Sequence, residues 1–186
     1  MNKKNYLMLS IAAMAVLFIV SCASNQVEES FGSGATCEDG DCINGAGKVK
    51  FAETGEFTGT FNDNVVSGPG VMVWPNGARY EGSYANNMRD GKGSYKYSNG
   101  DTYTGDFKNN MKNGTGVYTW TDGDVYNGDW TDGKQNGKGT YKWANGVTYT
   151  GDWKDGVIDG AGTLTWPDNS KVQGKFENNK FVSGNK

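Results

Sequence analysis

The chain has 186 residues and a formal net charge of −3, with 29 glycines, 13% aromatic residues and no histidine. The absence of histidine excludes catalysis by a histidine base and metal ligation by imidazole. Lys and Arg number 18 against 21 Asp and Glu, so the chain lacks the basic excess that nucleic-acid binding needs, and we expect no nucleic-acid partner. This length allows one ordinary domain or one array of repeats.

The N-terminus has the pattern of an export signal. Lys3 and Lys4 precede a mostly apolar stretch over residues 6–20. This stretch is short for a bilayer span, which needs ~20 apolar residues, and is typical of a signal peptide. It ends in Ser21 and Cys22. A small residue before a cysteine at this place resembles the lipobox of bacterial lipoproteins, and the resemblance covers residues 1–22.

That resemblance implies cleavage after residue 21, so that residues 1–21 are a lipoprotein signal peptide, and acylation of the sulfur and the new amine of Cys22. Several acyl chains, at ~0.8 kcal/mol per buried CH₂, hold a protein on a membrane nearly irreversibly. We therefore expect a palmitate-type lipid anchor and a bacterial cell-envelope location. Ala23 rather than Asp follows the cysteine, which by analogy favours the outer membrane, on its periplasmic face or at the cell surface. An uncleaved helix and an ordinary secretory signal are the alternatives.

A tether and a short cap follow the signal. Residues 22–36 are rich in Ser, Asn, Glu and Gly, which is typical of a flexible tether. Cys37 and Cys42 bracket Glu-Asp-Gly-Asp, and in an exported protein this pair favours a disulfide that staples an N-terminal cap over residues 37–42. A metal or redox pair is the alternative, which the lack of histidine and of a second cysteine pair disfavours. We therefore expect no metal site and no cofactor.

A period of 23 residues organises residues 43–180. Gly-x-Gly pairs recur at this step, and aromatic residues keep the same register. A third glycine column repeats with the same period, at Gly59, Gly82, Gly105, Gly128, Gly151 and Gly174. A fixed period of this size is the signature of a repeat architecture.

Each 23-residue unit predicts two short strands. In residues 80–84 and 91–97 the rings and glycines fall on one face and polar residues on the other, because side chains alternate along a strand. Residues 74–77 fit a type I turn followed by glycine, and the other connection, for example residues 85–90, reads as longer. The units predict an all-β fold, an elongated single antiparallel meander sheet of about six hairpin repeats and about twelve strands, followed by a tail over residues 181–186.

The repeating pattern is Tyr-x-Gly-x-aromatic followed by Gly-x-Gly-x-aromatic. At this period it resembles the MORN repeat (membrane occupation and recognition nexus) over residues 43–180. The resemblance implies an elongated hairpin array for scaffolding, protein contacts or membrane association, with no catalytic residues. Phosphoinositide binding is proposed for some members, but this chain lacks the Lys and Arg clusters that an anionic lipid requires.

These observations predict a non-enzymatic, lipid-anchored scaffold that contacts the membrane through its N-terminal lipid and binds an unknown protein partner. The alternative is a glycan-binding module that uses aromatic side chains. The candidate binding face consists of Tyr97, Trp120, Tyr126, Trp143 and Trp166. The same rings would also serve simply to pack on the glycines of adjacent strands.

A hydrolase is the third hypothesis, with Asp129 and Asp152 or Glu81 as the acidic groups. Equivalent residues of adjacent repeats lie two strands apart, roughly 9–10 Å, which is too far for a retaining glycosidase pair. We therefore expect the column formed by Asp106, Asp129 and Asp152 to be a solvated acidic series on the polar face, and we expect no enzymatic activity.

Overall fold

A computed structural model of the chain describes residues 35–185 as one open antiparallel sheet of fourteen strands. The strands lie side by side in chain order, so each pairs only with its neighbours in sequence. They are β1 (Ala35–Gly40), β2 (Ala46–Phe51), β3 (Gly55–Asn62), β4 (Val65–Val73), β5 (Arg79–Ala85), β6 (Met88–Lys96), β7 (Thr102–Lys108), β8 (Met111–Thr119), β9 (Val125–Thr131), β10 (Lys134–Lys142), β11 (Thr148–Lys154), β12 (Val157–Thr165), β13 (Lys171–Glu177) and β14 (Lys180–Asn185). The predicted all-β meander is confirmed.

The sheet has two strands more than the predicted twelve. β1 takes in the last two residues assigned to the tether, and β14 takes in residues 181–185, which were assigned to a tail. Both strands extend the ladder because β2 and β13 each have a second row of backbone N–H and C=O groups to satisfy. The predicted signal peptide, Cys22 and residues 22–34 lie outside the described residues. Within residues 35–185, no helix is long and apolar enough to cross a bilayer.

Two kinds of turn alternate along the sheet. In the first kind, the Gly77 N–H donates to the Trp74 carbonyl at 3.0 Å, in the four-residue turn that the sequence predicts. The second kind is shorter than expected, because it has only two residues and both have positive φ, for example 50° at Asn86 and 63° at Asn87. This is the type I′ hairpin turn, for which Asn, Asp and Gly are suited. The prediction of a longer connection over residues 85–90 is therefore wrong.

The type I′ turns also contact the neighbouring hairpin. The Asn110 N–H donates to the Arg89 carbonyl at 3.0 Å, and the Arg89 N–H donates to the Asn110 Oδ1 at 2.9 Å. Asn87 and Asn179 make the same pair of bonds to Val66 and Ile158. These bonds tie each repeat to the next one beyond the strand ladder.

One glycine in every strand lies in a single row that crosses the whole sheet. Gly93, for example, pairs with Gly82 on one side and with Gly105 on the other. The row consists of Gly40, Gly47, Gly59, Gly70, Gly82, Gly93, Gly105, Gly116, Gly128, Gly139, Gly151, Gly162, Gly174 and Gly184. Glycine is required because rings lie directly on the main chain here. A Cβ on Gly93 would be 2.5 Å from the Tyr80 Cε2.

The core of the sheet lies on one side, which we call the ring face. Its most deeply buried large side chains are 0% exposed, namely Tyr80, Tyr103, Tyr126 and Tyr149. The opposite side, the polar face, carries ion pairs such as Lys92 with Asp106 at 2.6 Å. Aromatic side chains bury 150–250 Å² each, so stacked rings supply the apolar burial that a second layer provides in other folds.

Candidate functional site

The tyrosines of the buried series lie between the rings of two repeats. Tyr103 meets Phe107 of its own strand at a centroid distance of 5.1 Å and Trp130 of the next repeat at 5.4 Å, both edge to face. Its hydroxyl donates to the Asp106 carbonyl at 2.9 Å. Burial raises the pKa of Tyr80 to about 12, and the other buried tyrosines shift in the same direction. These tyrosines are structural and remain neutral.

A second set of rings is half-buried and forms a continuous column, which we call the outer stack. Consecutive centroids are 4.4–5.6 Å apart, and consecutive planes are tilted by 34–49°. The stack contains Trp74, Tyr95, Tyr97, Tyr118, Trp120, Tyr141 and Trp143. It gives the ring face a ridge of aromatic groups that remain partly accessible to solvent.

The five residues predicted to form the binding face fall into three groups. Tyr97, Trp120 and Trp143 belong to the outer stack. Trp166 is half-buried and makes no ring contact within residues 35–185. Tyr126 is 0% exposed under the rings of the next strands, so it cannot reach a partner and its assignment to the face is wrong.

The predicted binding face omitted four members of the outer stack, namely Trp74 and three tyrosines. Tyr95, Tyr118 and Tyr141 each lie two residues before a predicted ring of the binding face. Because side chains alternate, that spacing places each pair on the same face. The spacing was therefore a signal that could have found them.

Two buried or half-buried carboxylates hold the outer stack in place. Asp101, 6% exposed, accepts a hydrogen bond from the Tyr118 hydroxyl at 2.8 Å and one from the Thr121 N–H at 3.0 Å. The Asn99 amide and the Tyr118 hydroxyl lower the pKa of Asp101, and burial with the neighbouring carboxylate raises that of Tyr118. In the next repeat, Asp124 accepts from Tyr141 and from the Ala144 N–H.

Two cations, Arg89 and Lys112, lie among the rings, and we call them the cation pair. The guanidinium carbon of Arg89 is 5.1–5.7 Å from the centroids of three rings, namely those of Tyr80, Tyr95 and Phe107. The Lys112 Nζ is 4.0 Å from the Trp130 centroid and 4.5 Å from that of Tyr118. Burial lowers the pKa of Lys112 to about 8. Sequence reasoning missed both residues, although they stand one period apart.

An apolar cavity of about 350 Å³ adjoins Arg89 near the N-terminal end of the sheet. We call it the N-terminal cavity. It is lined by Phe51, Thr54, Phe57, Val66, Met72, Trp74, Tyr84, Asn87, Arg89 and Asn110. Its walls are thus mostly aromatic and aliphatic, whereas a guanidinium and two amides supply the polar groups.

The carboxylates proposed for a hydrolase have structural contacts instead. The Asp152 Oδ2 accepts from the Ala161 N–H at 2.9 Å, and Lys138 pairs with its other oxygen and lowers the pKa of Asp152. Asp129 accepts from the Lys138 N–H at 2.8 Å. Glu81 pairs with Arg79 at 2.7 Å.

The expected acidic series does lie on the polar face, but its carboxylates are only partly exposed to solvent. Asp106, Asp129 and Asp152 each bind the main chain of the next strand at a bulge, where the preceding glycine has positive φ. The lowered pKa values of Asp106 and Asp152 do not suit a general acid at neutral pH. Within the described strands, no group of three or more His, Cys, Asp or Glu could hold a metal ion.

Cys37 and Cys42 are joined by a disulfide at the β1–β2 connection. The Cys42 side chain is fully buried and belongs to the small core formed by β2, β3 and β4. The disulfide therefore attaches the edge strand to the first packed part of the ring face.

Comparison with known proteins adds three findings. A family model described as the MORN repeat matches five consecutive segments, residues 57–79, 80–102, 103–125, 126–148 and 149–171. No curated protein matches the chain. Among solved structures, the TCP domain of SAS-4 (dCPAP) of Drosophila melanogaster, in complex with a proline-rich motif of Ana2 (dSTIL), is 14% identical, with a TM-score of 0.34. That match covers 72% of this chain and 85% of that chain.

Proposed function

Because this chain belongs to the MORN repeat family, we propose that it is a non-enzymatic scaffold that binds another protein along its ring face. MORN repeats form arrays that serve protein or membrane interaction, and the family is generally non-enzymatic. The observation that carries the proposal is the outer stack, a ridge of seven half-buried rings on the same face as the cation pair.

Composition supports a protein partner for this face. Aromatic residues and arginine are enriched at the centres of protein interfaces, where they anchor most of the binding energy. The rings of the outer stack have fixed positions, because carboxylates bind Tyr118 and Tyr141 and their neighbours pack against them. A partner would therefore lose little additional side-chain entropy from this side of the interface.

The glycan alternative has narrower support. A sugar ring stacks on an open aromatic face, whereas each inner ring of the outer stack has another ring on either side. Trp143 at the end of the stack and the separate Trp166 are the rings that best fit such a use. If a glycan binds there, Trp143→Ala weakens binding to cell-wall polysaccharide without unfolding the sheet. An array of such glycans that retains no protein would exclude the alternative.

We also propose that the scaffold is attached to the bacterial envelope, on the outer membrane, by lipid on Cys22. The support is the lipobox pattern of the sequence. Labelled palmitate fed to cells should enter the wild-type protein and not Cys22→Ser, and the variant should leave the membrane fraction. Equal labelling of both proteins, or none in the wild type, would refute the anchor.

Photo-crosslinking in living cells tests the binding face. A photoreactive amino acid replaces Tyr97 on the ring face of the full chain, and a matched variant carries it at the exposed Lys96 on the polar face. We expect the first variant to capture one defined protein and the second not to capture it. The same products from both positions, or none from Tyr97, would contradict the proposal.

A further inference from the structure

The cation pair is unusual in this sheet because both charges are partly buried without an ion pair. Seven ion pairs join described residues, and none includes Arg89 or Lys112. The equivalent position of other repeats holds Val66 or Ile158, which are buried, and Gln135. An apolar side chain thus fits this place at no electrostatic cost, whereas a desolvated cation opposes folding. A charged group that makes the fold less stable is a candidate for a role in binding.

Arg89 is oriented before any partner arrives. Its Nε donates to the Asn110 Oδ1 at 3.3 Å, and its Nη2 donates to the Asn110 carbonyl at 2.9 Å. Rings of Tyr80, Tyr95 and Phe107 surround the guanidinium carbon. A planar guanidinium held in this way is well suited to a carboxylate, since little freedom remains to be lost on binding.

The distance between the two cations indicates how an acidic partner would be spaced. Arg89 and Lys112 occupy the same position in consecutive repeats, two strands apart, which corresponds to ~9.6 Å across the sheet. A peptide in the polyproline II conformation advances ~3.1 Å per residue and has three residues per turn, so side chains three residues apart lie on the same side. Carboxylates on residues three apart in such a peptide would therefore match the cation pair.

We propose that the cation pair and the N-terminal cavity together recognise an acidic segment of the partner protein in the polyproline II conformation. Two carboxylates, three residues apart, bind Arg89 and Lys112, and a large apolar side chain beside the first of them enters the N-terminal cavity. The cavity, about 350 Å³, is at the lower end of the range for ligand pockets and is large enough for one such side chain. This inference rests on the proposed protein-binding function of the ring face.

The surroundings of Lys112 give the site a pH dependence. The titratable groups that face its amine are the phenols of Tyr103 and Tyr118, and both have raised pKa values because they are buried. No carboxylate contributes to the lowered pKa of Lys112, which is due to burial. A bound carboxylate favours the charged amine, so binding should raise the pKa of Lys112, and affinity should fall as the pH rises above about 8.

Synthetic peptides test the inference on the full-length protein. The probe contains Phe-Asp-Ser-Ser-Asp, its control replaces both aspartates by asparagine, and further peptides vary the spacing between the aspartates. Fluorescence anisotropy should show binding of the probe and a roughly tenfold or larger loss for Arg89→Gln and for Lys112→Gln. Glutamine is the residue of the equivalent position in the next repeat, so the sheet accommodates it. Lys92→Gln on the polar face should bind like the wild type.

Three results would overturn the inference. They are equal binding of the asparagine peptide, unchanged binding by both glutamine variants, and no rise in the pKa of Lys112 when the probe saturates the wild type, as followed by NMR of the lysine side chain. Vesicles of phosphatidylcholine and phosphatidylglycerol serve as a further probe. Binding to them that requires Arg89 and Lys112, without binding to any peptide, would assign the site to a membrane surface instead.

The photo-crosslinking variant at Tyr97 separates this inference from the proposed function. If the double variant Arg89→Gln/Lys112→Gln still captures the same protein, the scaffold proposal stands and the acidic-segment inference fails. If the wild-type sheet captures nothing, the proposed function itself fails.

Discussion

The ring of Tyr103 occupies the space in which Gly116 would carry a side chain. A Cβ there would be 2.5 Å from the Cε2 and Cζ atoms of Tyr103, and the tyrosine is 0% exposed, so its ring could move only by displacing the groups that cover it. The same relationship joins Tyr80 to Gly93 and recurs in the two later repeats. The glycine row is therefore a packing requirement as well as a backbone one.

We predict that Gly116→Ala lowers the free energy of unfolding by about 2 kcal/mol or more, because the ring must leave its position or the strands must separate. Urea denaturation measures this loss. Gly133→Ala is the matched control, since a Cβ at Gly133 meets nothing within 4 Å although φ is +83°. It should cost only the ~1 kcal/mol of a left-handed alanine. Equal losses in the two variants would contradict the packing explanation.

Gly133→Asn should stabilise the protein. Asparagine at the equivalent place in other turns accepts a backbone N–H of the preceding repeat, as Asn110 does from Arg89 at 2.9 Å. With Gly133, Lys112 has no such side-chain acceptor. One added hydrogen bond contributes roughly 0.5–1.5 kcal/mol net, which urea denaturation would detect as a higher midpoint. A midpoint no higher than that of Gly133→Ala would show that the asparagine bond contributes nothing.

Tyr126→Phe should lower the free energy of unfolding by about 1 kcal/mol, because the Asp129 carbonyl loses the hydroxyl that binds it at 2.9 Å. The ring itself is retained, and Phe57 occupies the equivalent position in the first repeat. Tyr95→Phe is the control, since no hydrogen bond of its hydroxyl joins it to another described residue, and its effect should stay within ~0.5 kcal/mol. Thermal unfolding followed by circular dichroism compares the two.

Lys112 should make stability rise with pH. Burial depresses its pKa to about 8 in the folded chain, against 10.5 ordinarily, so the unfolded chain binds more protons between these values. Its contribution to stability therefore increases from about pH 8 to about pH 10.5. The free energy of unfolding of the wild type, minus that of Lys112→Gln, should grow across the lower part of this window. The tyrosines titrate in both proteins and cancel. A difference independent of pH would refute the assignment.

Reduction of the Cys37–Cys42 disulfide should loosen one end of the sheet only. The bond joins residues five positions apart. For a loop of this size, the chain-entropy model gives a stabilisation of about 2 kcal/mol. Each strand pairs only with its neighbours, so hydrogen exchange should accelerate in β1 and β2 and remain unchanged beyond β5. Uniform acceleration over all fourteen strands would indicate that the sheet unfolds as a single unit from this edge.

The period and the alternation of side chains were sufficient to predict the meander, the four-residue turns and the location of the rings over glycines. They were not sufficient for the second turn, because Asn86 and Asn87 are residue types that suit a longer loop as well as the two-residue hairpin in which both adopt positive φ. The prediction of a loop over residues 85–90 left Arg89 outside the strand that contains Gly91, so the cation pair was not predicted. The alternation of side chains also does not show how deeply a side chain on the ring face is buried.

Tyr126 and Tyr97 differ in how deeply their side chains are buried. Both lie on the ring face, but Tyr126 sits over the glycine row, where the rings of adjacent strands cover it, while Tyr97 stands near a turn and stays half-exposed. The contacts of Asp106 and Asp152 at the bulges could not be predicted either, because they depend on which residues of the neighbouring strand lie opposite. Such contacts follow from the register between neighbouring strands, which a single sequence indicates only indirectly.

The unbroken glycine row has a consequence for how the gene can change. Excising or duplicating any 23 consecutive residues of the array would rejoin equivalent strands, with every ring still above its glycine. Slippage between homologous DNA segments would thus lengthen or shorten the molecule in steps of ~10 Å while leaving its cross-section intact. Related chains are therefore expected to differ in the number of repeats more readily than in the composition of a single repeat.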